Sequence, residues 1–155
     1  VKLAVPARIV ASAVLALALT GCSFAADITT SDPYAASDGI QVDLDGVKAE
    51  NLLVISSAEG EPAALIGSFI NTSSEDATLT VTLGSDQTAF EVAAGEVVAL
   101  GTGEGQTEVV GTSPAAPGLI AQITIDAPRT GAQSVDVPVM DGTLEEYAPI
   151  LDSLG

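Results

Sequence analysis

From residue 39 onward, apolar and polar positions alternate with the period of two that marks half-buried strands. "GIQVDLDG" sets Ile40, Val42 and Leu44 on one face. "VKAENLLVIS" follows, with Leu53 and Ile55 on one face and Leu52 and Val54 on the other. Residues 63–70, "AALIGSFI", are a nearly continuous apolar run, as in a central strand covered on both sides. "NTSSED" at 71–76 is a turn cluster. "ATLTVTL" at 77–83 is the clearest alternation, with Leu79, Val81 and Leu83 against Thr78, Thr80 and Thr82. "QTAFEVAAGEVVAL" at 87–100 predicts two short strands in a hairpin around Ala94-Gly95. Residues 101–118 are rich in Gly, Thr, Ser and Pro and predict a long loop with one strand at "TEVV". "LIAQITID" at 119–126 places Ile123 and Ile125 inward; after a turn at "PRTG", "AQSVDVPV" at 132–139 does the same with Val135, Val137 and Val139. At 143–151, "TLEEYAPIL", the period changes: Leu144 and Tyr147 are three apart, which predicts a helical turn before Pro149.

Short alternating strands separated by turn residues predict an all-β fold, a β-sandwich with a short C-terminal helical turn. The chain has three Phe, two Tyr and no Trp, so its core must be built mainly from Val, Leu, Ile and Ala.

The first residues read differently. Lys2 and Arg8 flank the start, residues 9–19 are apolar or small, and Leu19-Thr20-Gly21-Cys22 follows. A basic start, a short apolar middle and a small-residue exit are the layout of a secretory signal. The run is shorter than the roughly 20 residues a membrane-spanning helix needs. Leu19, Thr20, Gly21 and Cys22 resemble the bacterial lipobox. That resemblance implies a diacylglyceryl group on the Cys22 sulfur and cleavage just before it. The expected organisation is a lipoprotein signal peptide at 1–21, a lipidated flexible tether at 22–38 and a β-sandwich domain at 39–155. Membrane lipid, through Cys22, is then the first expected partner, and the expected location is extracytoplasmic, on the cytoplasmic membrane.

Charge removes whole classes of function. All 21 acidic residues follow Cys22, but of the four basic ones only Lys48 and Arg129 do. Two cations cannot offset a phosphate backbone, so nucleic acid is excluded as a partner. Such acidity serves solubility or, alternatively, recognition of a basic partner surface. One Cys allows no disulfide within the chain, and there is no His.

Catalytic and metal chemistry find little to work with. Without His or a free Cys there is no triad, and Lys48 falls on a predicted strand. Paired carboxylates could serve a glycosidase, but Phe69 and Phe90 fall on strands as core and leave no sugar platform. "DLDG" at 43–46 fails the EF-hand spacing, since Val47 stands where a third oxygen ligand belongs; a turn with solvated Asp43 and Asp45 is expected. "GTGEGQ" at 101–106 has glycines but no Lys, and reads as a plain loop. Asn71-Thr72-Ser73 matches a glycosylation acceptor that a bacterial lipobox makes irrelevant. No catalytic residue, metal ligand or cofactor is assigned, and no enzyme is expected.

"NLLVIS" with "ALIGSFIN", "VAAGEVVAL" and the terminal "VPVMDGTLEEYAPIL", together with the lipobox, resemble the actinobacterial LpqE-type lipoproteins. The resemblance implies an immunoglobulin-like or cupredoxin-like sandwich, distantly similar to periplasmic copper chaperones of the PCu(A)C type. It also implies a non-catalytic accessory subunit on the outer face of the cytochrome bcc–aa3 respiratory supercomplex. The alternatives are a divergent copper-delivery protein for oxidase assembly, or a cell-envelope lipoprotein with no respiratory role. Copper chaperones use His and Met, whereas this chain has no His and the single Met140, so a soft-metal site would need ligands from a partner. Leu144, Tyr147, Ile150 and Leu151 are the candidate partner contacts; the same residues could instead fold back and close the end of the sandwich.

Overall fold

The computed structural model describes residues 38–155. The expected signal peptide, the candidate lipobox residues Leu19, Thr20, Gly21 and Cys22, and the expected tether up to residue 37 lie outside the described residues. The elements are β1 (Ile40–Asp43), β2 (Val47–Ser56), β3 (Pro62–Asn71), β4 (Ala77–Leu83), β5 (Asp86–Val92), β6 (Val97–Leu100), β7 (Val110–Thr112), β8 (Ile120–Ala127), β9 (Gly131–Met140) and α1 (Ala148–Leu154). They form a barrel-like β-sandwich in the order β5-β4-β8-β9-β2-β3-β6.

The two layers meet in β9. Most of its length is antiparallel to β8, from Ile120 opposite Pro138 to Ala127 opposite Gly131. Its last two residues turn to β2 and pair in parallel, Val139 with Val54 and Met140 with Ile55. β1 takes the remaining part of that β2 edge, with Ile40 opposite Leu52 and Asp43 opposite Lys48. On the far side of β2, β3 is likewise shared, by β6 at Gly67–Ile70 and by β7 at Pro62–Ala64.

Alternation decides which faces are dry. In β4, Leu79, Val81 and Leu83 are buried, and the Thr between them face out. In β8, Ile123 and Ile125 are buried, and in β9 Val135, Val137 and Val139. Each such side chain contributes about 1.5–3 kcal/mol by leaving water. In β2 the run Leu52–Ser56 is buried on both faces, because a bulge between Glu50 and Leu53 turns the strand into the interior. Asn51 sits in the bulge at φ 55°. Opposite it, Gly67 has φ 132°, and a Cβ there would lie 2.7 Å from the Asn51 carbonyl oxygen, so glycine is needed.

Two expectations are corrected and a third is extended. β5 and β6 do not pair with one another: β5 pairs with β4 and β6 with β3, so the Ala94-Gly95 turn carries the chain between layers instead of closing a hairpin. The strand expected at "TEVV" lies later, at Val110–Thr112, where its backbone meets Pro62–Ala64. The turn expected before Pro149 is present, with the Leu144 carbonyl accepting from Tyr147 and Ala148, but it runs on into α1 from Ala148, with Pro149 in the first turn, where a missing N–H leaves no bond unmade. Among the described residues no helix is long and apolar enough to cross a membrane.

Candidate functional site

The strands run between two ends, and each end gathers loops into a shallow groove. At the first, the turns after β1, β3, β5 and β8 come together. Asn71 organises it. Its side chain is 1% exposed. Its Nδ2 donates to the carbonyls of Glu75 (2.7 Å) and Val92 (2.9 Å), and its Oδ1 accepts from the backbone and hydroxyl of Ser73. Asp76 Oδ1 accepts the Ala94 N–H at 2.9 Å. The Asn71 amide is thus consumed in holding β3, β5 and their turns together. Beside it lies a groove of about 230 Å³ lined by Asp45, Gly46, Ser73, Glu75 and Arg129. Arg129 and Glu75 form an exposed ion pair at 3.6 Å. In the "DLDG" turn both carboxylates are exposed and Asp43 Oδ1 accepts the Asp45 N–H.

The second end carries the C-terminal segment. Asp141 Oδ1 accepts the Thr143 N–H at 2.9 Å. Hydrogen bonds from the Thr143 side chain and backbone hold the Asp141 carboxyl below its ordinary 3.8. The chain then turns so that the Leu144 carbonyl accepts the N–H groups of Tyr147 and Ala148. Tyr147 is buried at 8% exposure, and its hydroxyl donates to Asp38 Oδ2 at 3.2 Å. Burial, then the Asp38 carboxylate, pushes its phenol above the ordinary 10.0. Ile150 and Leu151 are half-buried and pack on the core. Leu151 lies so close over Gly142 that a Cβ there would approach its Cδ2 to 2.8 Å. Of the four candidate contact residues, the structure thus brings Tyr147, Ile150 and Leu151 together on the domain's own core. Leu144 stands outside, 41% exposed.

Beside α1 runs a wider groove, open and about 560 Å³ in volume. Pro62, Val110 and Leu154 give it apolar walls, and Asp86 and Glu108 give it carboxylates. It exists because two backbones meet there: a Cβ on Gly111 would lie 2.4 Å from the Leu83 carbonyl, and one on Gly84 the same distance from the Thr112 carbonyl. Other large apolar side chains are exposed at this end, Leu119 by 57% and Ile120 by 60%. Sequence reasoning missed this groove, since its residues come from separate stretches around 60, 86, 110 and 154. The close pairing of Gly84 and Gly111 leaves no local pattern.

The remaining candidates take plain places. Phe69 and Phe90 pack on each other with ring centroids 5.6 Å apart, Phe69 fully buried. Lys48 is an exposed strand residue opposite Ile70. In the "GTGEGQ" loop the Gly103 N–H is bound by the Gln106 side chain.

The cupredoxin-like sandwich has similar solved structures. An apo PCuAC domain from PmoF1 superposes with a TM-score of 0.52 at 13% identity, over 65% of this chain and 98% of that one. A copper-bound PCuAC domain from PmoF2 gives 0.49 at 15% identity, over 65% and 97%. The apo PmoF2 domain gives 0.49 at 14% identity, over 67% and 97%. No protein-family model matches the chain, and no curated protein matches it in sequence.

The likeness raises the question of copper. Cu(I) sites are built from soft thioether, thiolate and imidazole donors. Among the described residues the one such donor is Met140, half-buried on β9 opposite Ile55 and packed against the core. Nor do the described residues bring together three or more His, Cys, Asp or Glu side chains able to hold an ion. The described residues do not by themselves fit a copper site.

Proposed function

We propose that this chain is a non-catalytic, lipid-anchored module of extracytoplasmic copper delivery, acting by docking to a partner that supplies the metal ligands. The observation that carries the reading is the fold match to the apo PCuAC domain over nearly all of that domain's length. The donor set gives the reading its form, because Met140 alone cannot hold the ion. The lipobox supports anchoring through Cys22 at the outer face of the cytoplasmic membrane.

A second reading, an accessory subunit of a respiratory supercomplex without a role in copper, is favoured by the resemblance of the terminal "VPVMDGTLEEYAPIL" run. One experiment separates the two. The tagged chain is purified from its membrane with its partners, and the complex and the chain alone are titrated with Cu(I) against a competing chelator. Copper delivery requires that the complex hold a stoichiometric Cu(I) that depends on this chain, while the chain alone holds none. A supercomplex that retains the chain with no such change supports the second reading. A tight site on the chain alone would overturn the docking form of the proposal.

A further inference from the structure

The wide groove beside α1 combines exposed apolar side chains with acid in one concave place. Asp86 and Glu108 line it, and Glu59 and Glu61 flank it through the turn in which the Gly60 N–H donates to Ser113 and the Ser113 N–H to Glu61. Both cations of the described residues lie toward the opposite end: Lys48 pairs with Ile70 near the start of β2, and Arg129 is engaged with Glu75. Among the described residues no positive side chain therefore offsets the groove. Its apolar contribution is modest and centres on Val110, 40% exposed, beside Pro62 and the half-buried Leu154. This is a surface complementary to something both cationic and apolar.

We infer that this groove is the docking site for an extended, basic segment of a partner protein, with Lys or Arg meeting Asp86 and Glu108 and small apolar side chains covering Pro62, Val110 and Leu154. An anionic bilayer is a poor occupant, since it would face carboxylates. A second copy of this chain is equally poor, because it brings the same excess of acid. The inference rests on the docking reading above and supplies the contact surface that reading lacks.

The test uses the full chain in neutral detergent at low salt. The probe is a fluorescent nonapeptide of alternating Lys and Val, with nonalysine as the charge-only control. The groove predicts that the Lys–Val peptide binds at least tenfold more tightly than nonalysine. Asp86→Lys with Glu108→Lys weakens it at least tenfold, and Asp45→Lys, at the other end, changes it less than twofold. Val110→Ser, which alters an exposed side chain and no charge, weakens it about threefold and serves as the check should the double variant fail to fold. Equal binding of nonalysine, or an equal loss in Asp45→Lys, would show delocalised charge attraction and overturn the groove. So would dimerisation abolished by Glu108→Lys, or sedimentation with phosphatidylglycerol vesicles that Val110→Ser removes; either would put a different occupant there. A partner recovered equally with wild type and the double variant would remove the groove and leave the docking reading standing. Peptide binding that obeys the groove, with no copper-dependent complex found, would do the reverse.

Discussion

The two ends of the sandwich are closed by opposite means. At the Asn71 end one buried amide ties the Ser73–Glu75 turn and Val92 to β3 by hydrogen bonds to their backbones, beside the buried Leu44, Val47 and Ala77. At the other end the chain closes itself with side-chain volume, through Tyr147, Ile150 and Leu151, and a single phenol–carboxylate bond reaches back to Asp38. The directed bonds of the first closure bring Val92 and Ala94 in from the other layer, and Val97 stays 60% exposed beside them. A closure made by laying apolar residues over a core seldom covers everything. Here it leaves Leu144, Val110, Leu119 and Ile120 outside. The apolar closure and the open groove are therefore neighbours for a physical reason.

The contrast can be broken by substitution. The largest effect is expected from Tyr147→Ala, which empties a space in the apolar closure and should destabilise the domain by about 4 kcal/mol, a typical loss for a buried aromatic ring. Denaturant unfolding measures it, and a loss below about 1 kcal/mol would mean that the ring is not part of the closure. Next comes Asn71→Ala, at about 3 kcal/mol, because it strands the Glu75 and Val92 carbonyls away from their donor. Hydrogen exchange should then rise first around residues 92–96, sparing α1. If α1 exchanges equally fast, the ends are not independent.

The smallest effect sharpens the comparison. Tyr147→Phe keeps the ring and removes the bond to Asp38, for about 1 kcal/mol. It should also change the response to alkali. Burial and Asp38 raise the phenol above 10.0 in the fold, so the unfolded chain loses this proton first. The stabilisation is complete below that value and is lost as pH rises through the raised one. Wild type should show this alkaline loss and Tyr147→Phe should lack it; matching slopes in the two would dismiss the hydroxyl as a contributor.

What the sequence reveals follows from how local each feature is. β4, β8 and β9 read correctly because a strand with one wet face writes its orientation into every second residue. The pairing of β5 and β6 misreads because a turn at Ala94-Gly95 signals a reversal without saying which strand lies alongside. Asn71 stands in a polar cluster that suggests an exposed turn, and only the approach of Val92 from another layer buries it. Tyr147, Ile150 and Leu151 could be recognised as apolar residues requiring cover; whether that cover is the core or a partner depends on where β2 and β3 lie. The groove is the least legible feature, being a gap between segments with no shared pattern.

The parallel contact between β2 and β9 has a consequence for the order of events in folding. Val54 and Ile55 wait for Val139 and Met140, which lie beyond six intervening strands. Closing so long a loop is entropically unfavourable before the contacts within it exist, and folds rich in such distant pairings form slowly, in milliseconds to seconds. The β2–β3 and β4–β5 hairpins can form from neighbouring residues alone, but the two layers are joined only when the last strand arrives. The domain therefore completes its architecture only once β9 is available.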